Sequence, residues 1–447
     1  MRLLWVVPYL PVRGVMAARE RFWHLLARLA PRHEVTLLAF VDPEDAGRDD
    51  LPPGLAGVDR IAKTPYRPED PLALLPRTVA GGYADPALRA AVAARLAAGR
   101  FDVVQYEFSE MAQCIPGPAA RSILTVHQIS FAQQADAWRA DGGKLRRGAV
   151  FLHRYLRELD FELRAVRAVD HVVTMSAEDA ARLRRFAPDL PISVSPCGVD
   201  CAAFRPRDDA PEVDLLFVGH FGHPPNVDAV GFLVGDIAPR FGRPVRIRIV
   251  GRGVIPEVAR RASPTVEIVG AVDDVRPHLA AARVVVAPVR FGTGMRGKVL
   301  EALAMGRPVV TTTVGAEGLG ATAGRDLLVA DGAADFAAAI RRVLDEPGVA
   351  SALGAGGRAL AVARFDWDAI AAAHEEIYET VVRAPARAAQ GRAAPARLQR
   401  VATSLGYLPG VGLGFAFLLA RATRAHAARV RRRRPAALAS APAALEA

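Results

Sequence analysis

The sequence predicts an α/β protein of two doubly wound domains. Three observations carry this expectation. First, short runs of Val, Ile and Leu recur along the chain, at Leu3–Val7, Val35–Phe40, Val103–Tyr106, Ile123–Val126 and Val172–Thr174, and again at Leu215–Val218, Val245–Val250, Val266–Val269, Val284–Ala287 and Val309–Thr311. Runs that are apolar throughout fit parallel strands covered on both faces. Second, amphipathic stretches separate the runs. Phe22, Leu25, Leu26 and Leu29, for example, follow the i, i+3, i+4, i+7 spacing of one helix face. Strand–helix alternation of this kind builds doubly wound sheets. Third, the series breaks where Pro196, Gly198, Pro206 and Pro211 surround Arg207, Asp208 and Asp209, a composition that reads as an interdomain linker.

The 447 residues suffice for two or three domains, and a hydrophobic fraction of 51% supports large cores. The expected organisation is a first domain over 1–205, a second over 206–365, a helix from Trp367 to about Val382, and a tail over 384–447. The net charge of +11 invites a nucleic-acid partner. Its placement argues against one. The 12 arginines and single acid from Arg383 onward account for the whole excess, leaving a body with 46 basic and 46 acidic residues and no aromatic–basic interleaving. A basic tail on a neutral body suits an anionic membrane surface, or a solvated tail with no partner. Within it, Leu405–Ala420 is apolar but short for a membrane span, and Arg421, Arg424, Arg429 and Arg431–Arg434 follow. That pattern fits an interfacial anchor or a small helical hairpin. Cys114, Cys197 and Cys201 form no C-x-x-C pair. They suit a reducing cytoplasm, with the inner membrane face as a peripheral site. The opening Met-Arg-Leu-Leu-Trp-Val-Val-Pro reads as a buried strand, because Pro8 ends its apolar run too soon for a signal peptide.

The strongest chemical signal runs from Ala287 to Thr313. A strand ends at Pro288, a loop with Gly292, Gly294 and Gly297 follows, and a helix runs from about Lys298 to Met305 before Gly306 stops it. Strand, glycine loop and helix N-terminus together form an anion site: glycines allow close backbone approach and free N–H groups point at the ligand. Arg296 and Lys298 lie where the helix dipole opposes cations, which makes sense if an anion sits between them and the N–H groups. Glu301, one turn on, could accept from ribose hydroxyls or form a surface ion pair with Lys298.

Here the chain resembles the retaining glycosyltransferase family 4, which has the GT-B fold. Glu301-Ala-Leu-Ala-Met-Gly-Arg-Pro-Val-Val310 and Thr312…Gly315 match its E-A-x-A-x-G-x-P-V-V and T-x-x-G signature. The resemblance gives Glu301 the donor ribose. The family's first glutamate, eight residues earlier, is Thr293 here. The loop is closer to a subgroup of the form G-x-G-x-R-x-K-x-L-E-A, which Gly292, Gly294, Arg296, Lys298 and Glu301 fit, with G-A-E-G-L at Gly315–Leu319. Arg296 and Lys298 would then hold the diphosphate, with Gly219, Thr293 and Met295 completing the donor site. The segment Leu216-Phe-Val-Gly-His-Phe-Gly-His-Pro-Pro-Asn-Val-Asp-Ala229 resembles the family's other phosphate loop, with His220, His223 and a helix-capping Asn226 where many members carry basic residues. Ile249-Val-Gly-Arg-Gly253 resembles its V-G-x-G turn.

On the acceptor side the resemblance points to Pro8-Tyr-Leu-Pro-Val-Arg-Gly14 and to Arg21 on the following helix. His127, after Thr125-Val126, would lie near the reacting centre, and Glu107 is similarly placed at the end of another strand. Ser176 is expected to cap a helix, Ser195-Pro-Cys-Gly-Val-Asp200 resembles P-N-G-V-D, and the final helix, 366–383, would cross back onto the first domain. The implied activity is transfer of a sugar from a nucleotide-sugar donor to a saccharide or lipid-linked saccharide acceptor with retention, in cell-surface polysaccharide or glycolipid synthesis. His127, Arg296 and Lys298 would carry the chemistry. No D-x-D motif stands out, so no metal and no cofactor are expected. The alternative is a non-catalytic sugar-nucleotide-binding or scaffold protein of the same fold. A GT-B phosphorylase is disfavoured, since no lysine suited to pyridoxal phosphate is evident.

Overall fold

The computed structural model describes residues 1–13, 17–63, 83, 85–116, 120–140, 145–207, 210–292 and 296–385. Gly14, Thr293, Gly294 and Met295 lie outside these residues, as does the tail from 386 on with its candidate anchor.

The first sheet is formed by β1 (Arg2–Val7), β2 (Glu34–Val41), β3 (Gly57–Ala62), β4 (Val103–Glu107), β5 (Arg121–Val126), β6 (His171–Thr174) and β7 (Ile192–Val194). All its pairings are parallel, in the order β3-β2-β1-β4-β5-β6-β7. The second is formed by β8 (Val213–Val218), β9 (Ile247–Val250), β10 (Val266–Gly270), β11 (Ala282–Ala287), β12 (Val309–Thr311) and β13 (Leu328–Val329), in the order β10-β9-β8-β11-β12-β13. Each sheet therefore grows outward in both directions from its first strand. The reversals fall between β1 and β4 and between β8 and β11, and the crevice at the carboxyl ends of such strands is where this architecture takes ligands.

The first sheet is covered by α1 (Ala17–Leu29), α2 (Pro86–Ala98), α3 (Ser130–Ala140), α4 (Leu145–Arg167) and α5 (Ala177–Phe186). The second carries α6 (Pro224–Phe232), α7 (Pro256–Ala259), α8 (Arg276–Ala280), α9 (Gly297–Ala304), α10 (Ala333–Asp345) and α11 (Pro347–Phe365). The last helix of the described residues, α12 (Trp367–Arg383), leaves the second domain. Its Trp367, Ile370 and Tyr378 are buried with Phe22, Leu25 and Leu26 of α1 and with Leu3, Trp5 and Val7 of β1. This helix completes the core around β1 and α1. No helix of the described residues is long and apolar enough to cross a membrane.

The corner before α12 fixes the linker. Asp366 caps the helix by accepting from the Asp368 amide (2.9 Å), and its other oxygen accepts from the Cys201 amide (3.2 Å). Asp368 pairs with Arg28 of α1. The D-x-D that Asp366-Trp-Asp368 spells is therefore used in capping and docking. Arg358 donates to the carbonyls of Cys201, Phe204 and Ala304, tying the linker to α9. Asp366→Ala loses a cap and a linker bond together. It is expected to cost about 1–2 kcal/mol, read as a lower urea midpoint at unchanged slope.

Ser176 caps α5 as expected, accepting from the Asp179 amide at 3.1 Å. Asn226 differs from expectation. The residue flanking α6 is His223, and Asn226 sits inside the helix, where its side chain bonds the loop before it.

Candidate functional site: the cleft between the two sheets

The donor side is built at the carboxyl ends of β8 and β11. Gly219 ends β8 where a Cβ would meet the Phe217 ring at 2.9 Å and Asn226 at 3.1 Å. Gly251, with φ of +153°, packs so closely on this turn that a Cβ would lie 1.6 Å from the Gly219 carbonyl. Gly292, at φ +108°, fits between Pro225 and the Arg296 guanidinium. These glycines bring the loops after β8, β9 and β11 together at the start of α9, which opens with Arg296 in the flanking position.

Three sequence-predicted donor residues converge there. Arg296 is buried and donates to the Gly292 carbonyl at 2.9 Å. Lys298 donates to Asn226 Oδ1 at 2.6 Å and lies 4.3 Å above the Phe217 ring. Asn226 in turn donates to the His220 carbonyl at 2.8 Å, so it links the two loops and is not a helix cap. Burial, reinforced by the neighbouring Arg296 charge, pushes the Lys298 ammonium down to about 7. Glu301 makes no ion pair with Lys298. Burial pushes its carboxyl up to about 7, against the pull of Lys298 and with a push from Glu20 across the cleft. His223 lies on the facing loop, where partial desolvation of its ring, together with Arg296 and Lys298, holds it below the usual histidine range. Thr312 and Gly315 act as a staple: Thr312 Oγ1 accepts from the Gly315 amide at 2.9 Å and donates to the Val289 carbonyl, which shapes the turn beside the glycine loop.

A cavity of about 720 Å³ adjoins this loop between the domains, lined by Arg182 and Glu178 of α5 and by Gly292, Thr313 and Glu317 of the second domain. Arg182, anchored on Asp179 at 2.9 Å, forms an ion pair with Glu317 across it.

The first-domain side is a buried polar cluster at the carboxyl ends of β4 and β5. His127 Nε2 lies 2.6 Å from Glu107 Oε2. Glu107 Oε1 also accepts from Thr125 Oγ1 (3.1 Å) and from the Gln105 amide. Arg21 stands 3.6 Å from the same carboxylate and donates to the Ser195 carbonyl and hydroxyl at 3.2 and 3.0 Å. Burial alone would raise the Glu107 carboxyl. Arg21, His127 and Gln105 overturn that and hold it below the usual carboxylate range, while burial lowers the His127 ring. The pair is an ionised glutamate under a neutral imidazole.

This corrects the expectation that Arg21 and Glu107 meet the acceptor. Both side chains are wholly enclosed, at 0% exposure, beneath His127. They are enclosed because each satisfies the other's charge. His127, with 8% of its side chain exposed, is the least enclosed of the three. Sequence reading missed Gln105, Ser195, His374 and Tyr378, which complete the cluster. A signal existed: Gln105 is an amide in an otherwise apolar run, and His374 interrupts the apolar stripe Ile370, Ile377, Val381 of α12.

Comparison with known proteins agrees with this architecture. Residues 212–346 match the family described as "Glycosyl transferases group 1", and residues 20–203 match "Glycosyltransferase Family 4". The chain belongs to these glycosyltransferases and has their two-domain GT-B fold. A curated relative, the MMP alpha-(1->4)-mannosyltransferase of Mycolicibacterium hassiacum, is 25% identical over 382 residues, covering 74% of this chain and 88% of the relative. Among solved structures, a sucrose-phosphate synthase from Thermosynechococcus elongatus superposes with a TM-score of 0.67 at 20% identity, covering 85% of this chain and 99% of that one. Anabaena HepE in complex with UDP superposes at 0.60 and 14% identity, over 85% and 100%.

Proposed function

We propose that this glycosyltransferase moves a sugar from a nucleotide-sugar donor to a saccharide or lipid-linked acceptor with retention of configuration, without a metal or cofactor. The observation that carries the reading is the pair of cations, Arg296 and Lys298, held together at the start of α9. Two cationic side chains with helix N–H groups beside them form an arrangement that suits a diphosphate. Each charge-assisted contact to it contributes about 1.5–3 kcal/mol. Glu301, a turn further on, takes the ribose hydroxyls, and His127 faces the sugar from the opposite domain. As the glycosidic bond breaks, negative charge grows on the leaving diphosphate. Arg296, Lys298 and the helix terminus are already placed to stabilise it, so no reorganisation is needed at that moment. The departing phosphate takes the acceptor proton on the same face of the sugar.

The UDP-bound neighbour supports a nucleotide in this crevice. A role in cell-surface polysaccharide or glycolipid synthesis at the inner membrane face rests on the basic tail, and equal liposome flotation with and without residues 384–447 would exclude it. Calorimetry with UDP, GDP, ADP and dTDP tests the donor site. One nucleotide is expected to bind, and Lys298→Ala and Glu301→Ala are each expected to weaken it at least tenfold. Wild-type affinity in both variants would remove the proposed site. Binding without turnover of any nucleotide-sugar would favour a scaffold, and turnover unchanged by EDTA is expected.

A further inference from the structure

Phe108 is the sole non-glycine residue with positive φ among the described residues, at φ 73° and ψ 143°. That region of backbone space is one glycine occupies freely and a residue with a Cβ avoids. The distortion falls at the carboxyl end of β4, at the topological reversal of the first sheet. Its effect is specific. The Phe108 ring lies parallel to the His127 ring, with centroids 3.9 Å apart and planes 4° from coincidence. Phe22 meets the imidazole edge-on at 5.6 Å. Glu107 holds Nε2. The imidazole is fixed by a stack, an edge contact and a hydrogen bond.

The hydrogen bonds behind Glu107 are ordered in one direction. Trp5 Nε1 donates to the Tyr378 hydroxyl at 3.1 Å, and that hydroxyl donates to Gln105 Oε1. His374 lies between Ser195 Oγ (3.0 Å from Nδ1) and Gln105 Oε1 (2.9 Å from Nε2). A carbonyl oxygen only accepts, so His374 donates from Nε2 and accepts at Nδ1 from the serine hydroxyl. Gln105 then has both acceptor sites and both amide hydrogens used, the latter on Glu107 and on Thr125 at 3.3 Å. Thr125, having accepted from Gln105, donates to Glu107. A carboxylate receiving these donors requires a proton on His127 Nε2. Nδ1 is thereby the sole acceptor on that ring.

We propose that Phe108 and the Gln105-centred chain reaching back to α12 are positioning residues that hold His127 as the Nε2–H tautomer, so that Nδ1 accepts a hydrogen bond from a hydroxyl of the bound sugar. This rests on the reading of the cleft as the reacting site. It also explains why the crossover helix carries His374 and Tyr378 inward: the helix that joins the domains sets the ring that faces the donor.

The test uses the full chain. ¹⁵N NMR of histidine-labelled protein without ligand, assigned by His127→Gln, is expected to show Nε2 protonated and Nδ1 bare. Turnover is followed with UDP-glucose, GDP-mannose, ADP-glucose or dTDP-glucose, whichever the wild type consumes. Phe108→Gly relieves the backbone, so it is expected to fold and to melt no lower than Phe108→Ala. It should nonetheless lose kcat at least tenfold with donor KM within twofold, and its His127 signal should become a tautomer mixture. Phe108→Tyr keeps the ring and is expected to retain kcat within threefold. Should His127→Ala abolish turnover while Phe108→Gly keeps both kcat and a single tautomer, the positioning role is wrong. Should His127→Ala itself keep kcat, the site reading fails and the proposal with it.

Discussion

Replacing Lys298 with methionine is expected to weaken donor binding by about 10- to 150-fold while leaving the melting temperature equal to or above that of the wild type. The affinity loss follows from one charge-assisted contact of about 1.5–3 kcal/mol. The stability expectation follows from the free protein, where Lys298 is enclosed beside Arg296 and its ammonium sits near 7. Between that value and the unfolded lysine range near 10.4 the unfolded chain binds the extra proton, so stability rises with pH across the window and the charged form is the costly one. Methionine removes that cost and leaves an apolar chain of similar length in the enclosed position. The same shift predicts how binding responds to pH. Below about 7 Lys298 already carries its proton. Above it the diphosphate must recruit one, and affinity falls by up to tenfold per pH unit. Glu301 works in the opposite sense: its carboxyl, near 7, must lose a proton to accept from ribose, so affinity also falls below that pH. Donor affinity should therefore peak close to neutrality. A nucleotide-sugar is the right ligand, since its diphosphate diester has no proton to lose there. Lys298→Met should flatten the alkaline limb and Glu301→Gln the acid limb. A profile unchanged in both variants would show that neither group touches the donor.

Much of this fold was legible because its central strands are apolar on both faces. All ten expected strands are present. The three that were missed, β3, β7 and β13, are edge strands. An edge strand is covered on fewer sides, and β3 alternates between partly exposed and exposed positions along Gly-Val-Asp-Arg-Ile-Ala, so a search for continuous apolar runs passes over it. The donor loop was legible because glycines and cations at a helix start have few other uses. What the sequence did not disclose was depth. Arg21 and Glu107 are separated by 86 positions, and nothing in either segment says that they neutralise each other in the core instead of lining the cleft. The Gln105 chain was hidden for the same reason. Its members come from β1, β4, β5, α12 and the linker, and they meet only once the last helix has crossed back. Phe108 shows the limit most sharply, because its backbone conformation has no composition signal at all.

Glu107→Ala is expected to be the most damaging single change in the first domain. The variant leaves the Arg21 guanidinium wholly enclosed with only Ser195 to answer it. Removing one partner of such a pair costs about 3–5 kcal/mol, a large share of the 5–15 kcal/mol that holds a typical domain. If that cost is the stranded charge, removing both charges should recover most of it. Arg21→Met with Glu107→Leu is expected to melt well above Glu107→Ala, and a double-mutant cycle reads the coupling directly. If the double variant is no more stable than the single, the damage comes from lost packing and the charge argument is wrong. Glu107→Gln separates structure from chemistry. It keeps the volume, but its amide placed at the Oε2 position donates toward His127 Nε2 and forces the other tautomer, so kcat should fall much further than stability. The pH dependence has a definite sign as well. The folded Glu107 carboxyl lies below its ordinary value, so its stabilisation is present above the unfolded range near 4.3 and is lost as pH falls through the folded value. Acid should therefore destabilise the wild type through this group in a window where Glu107→Gln loses nothing from it.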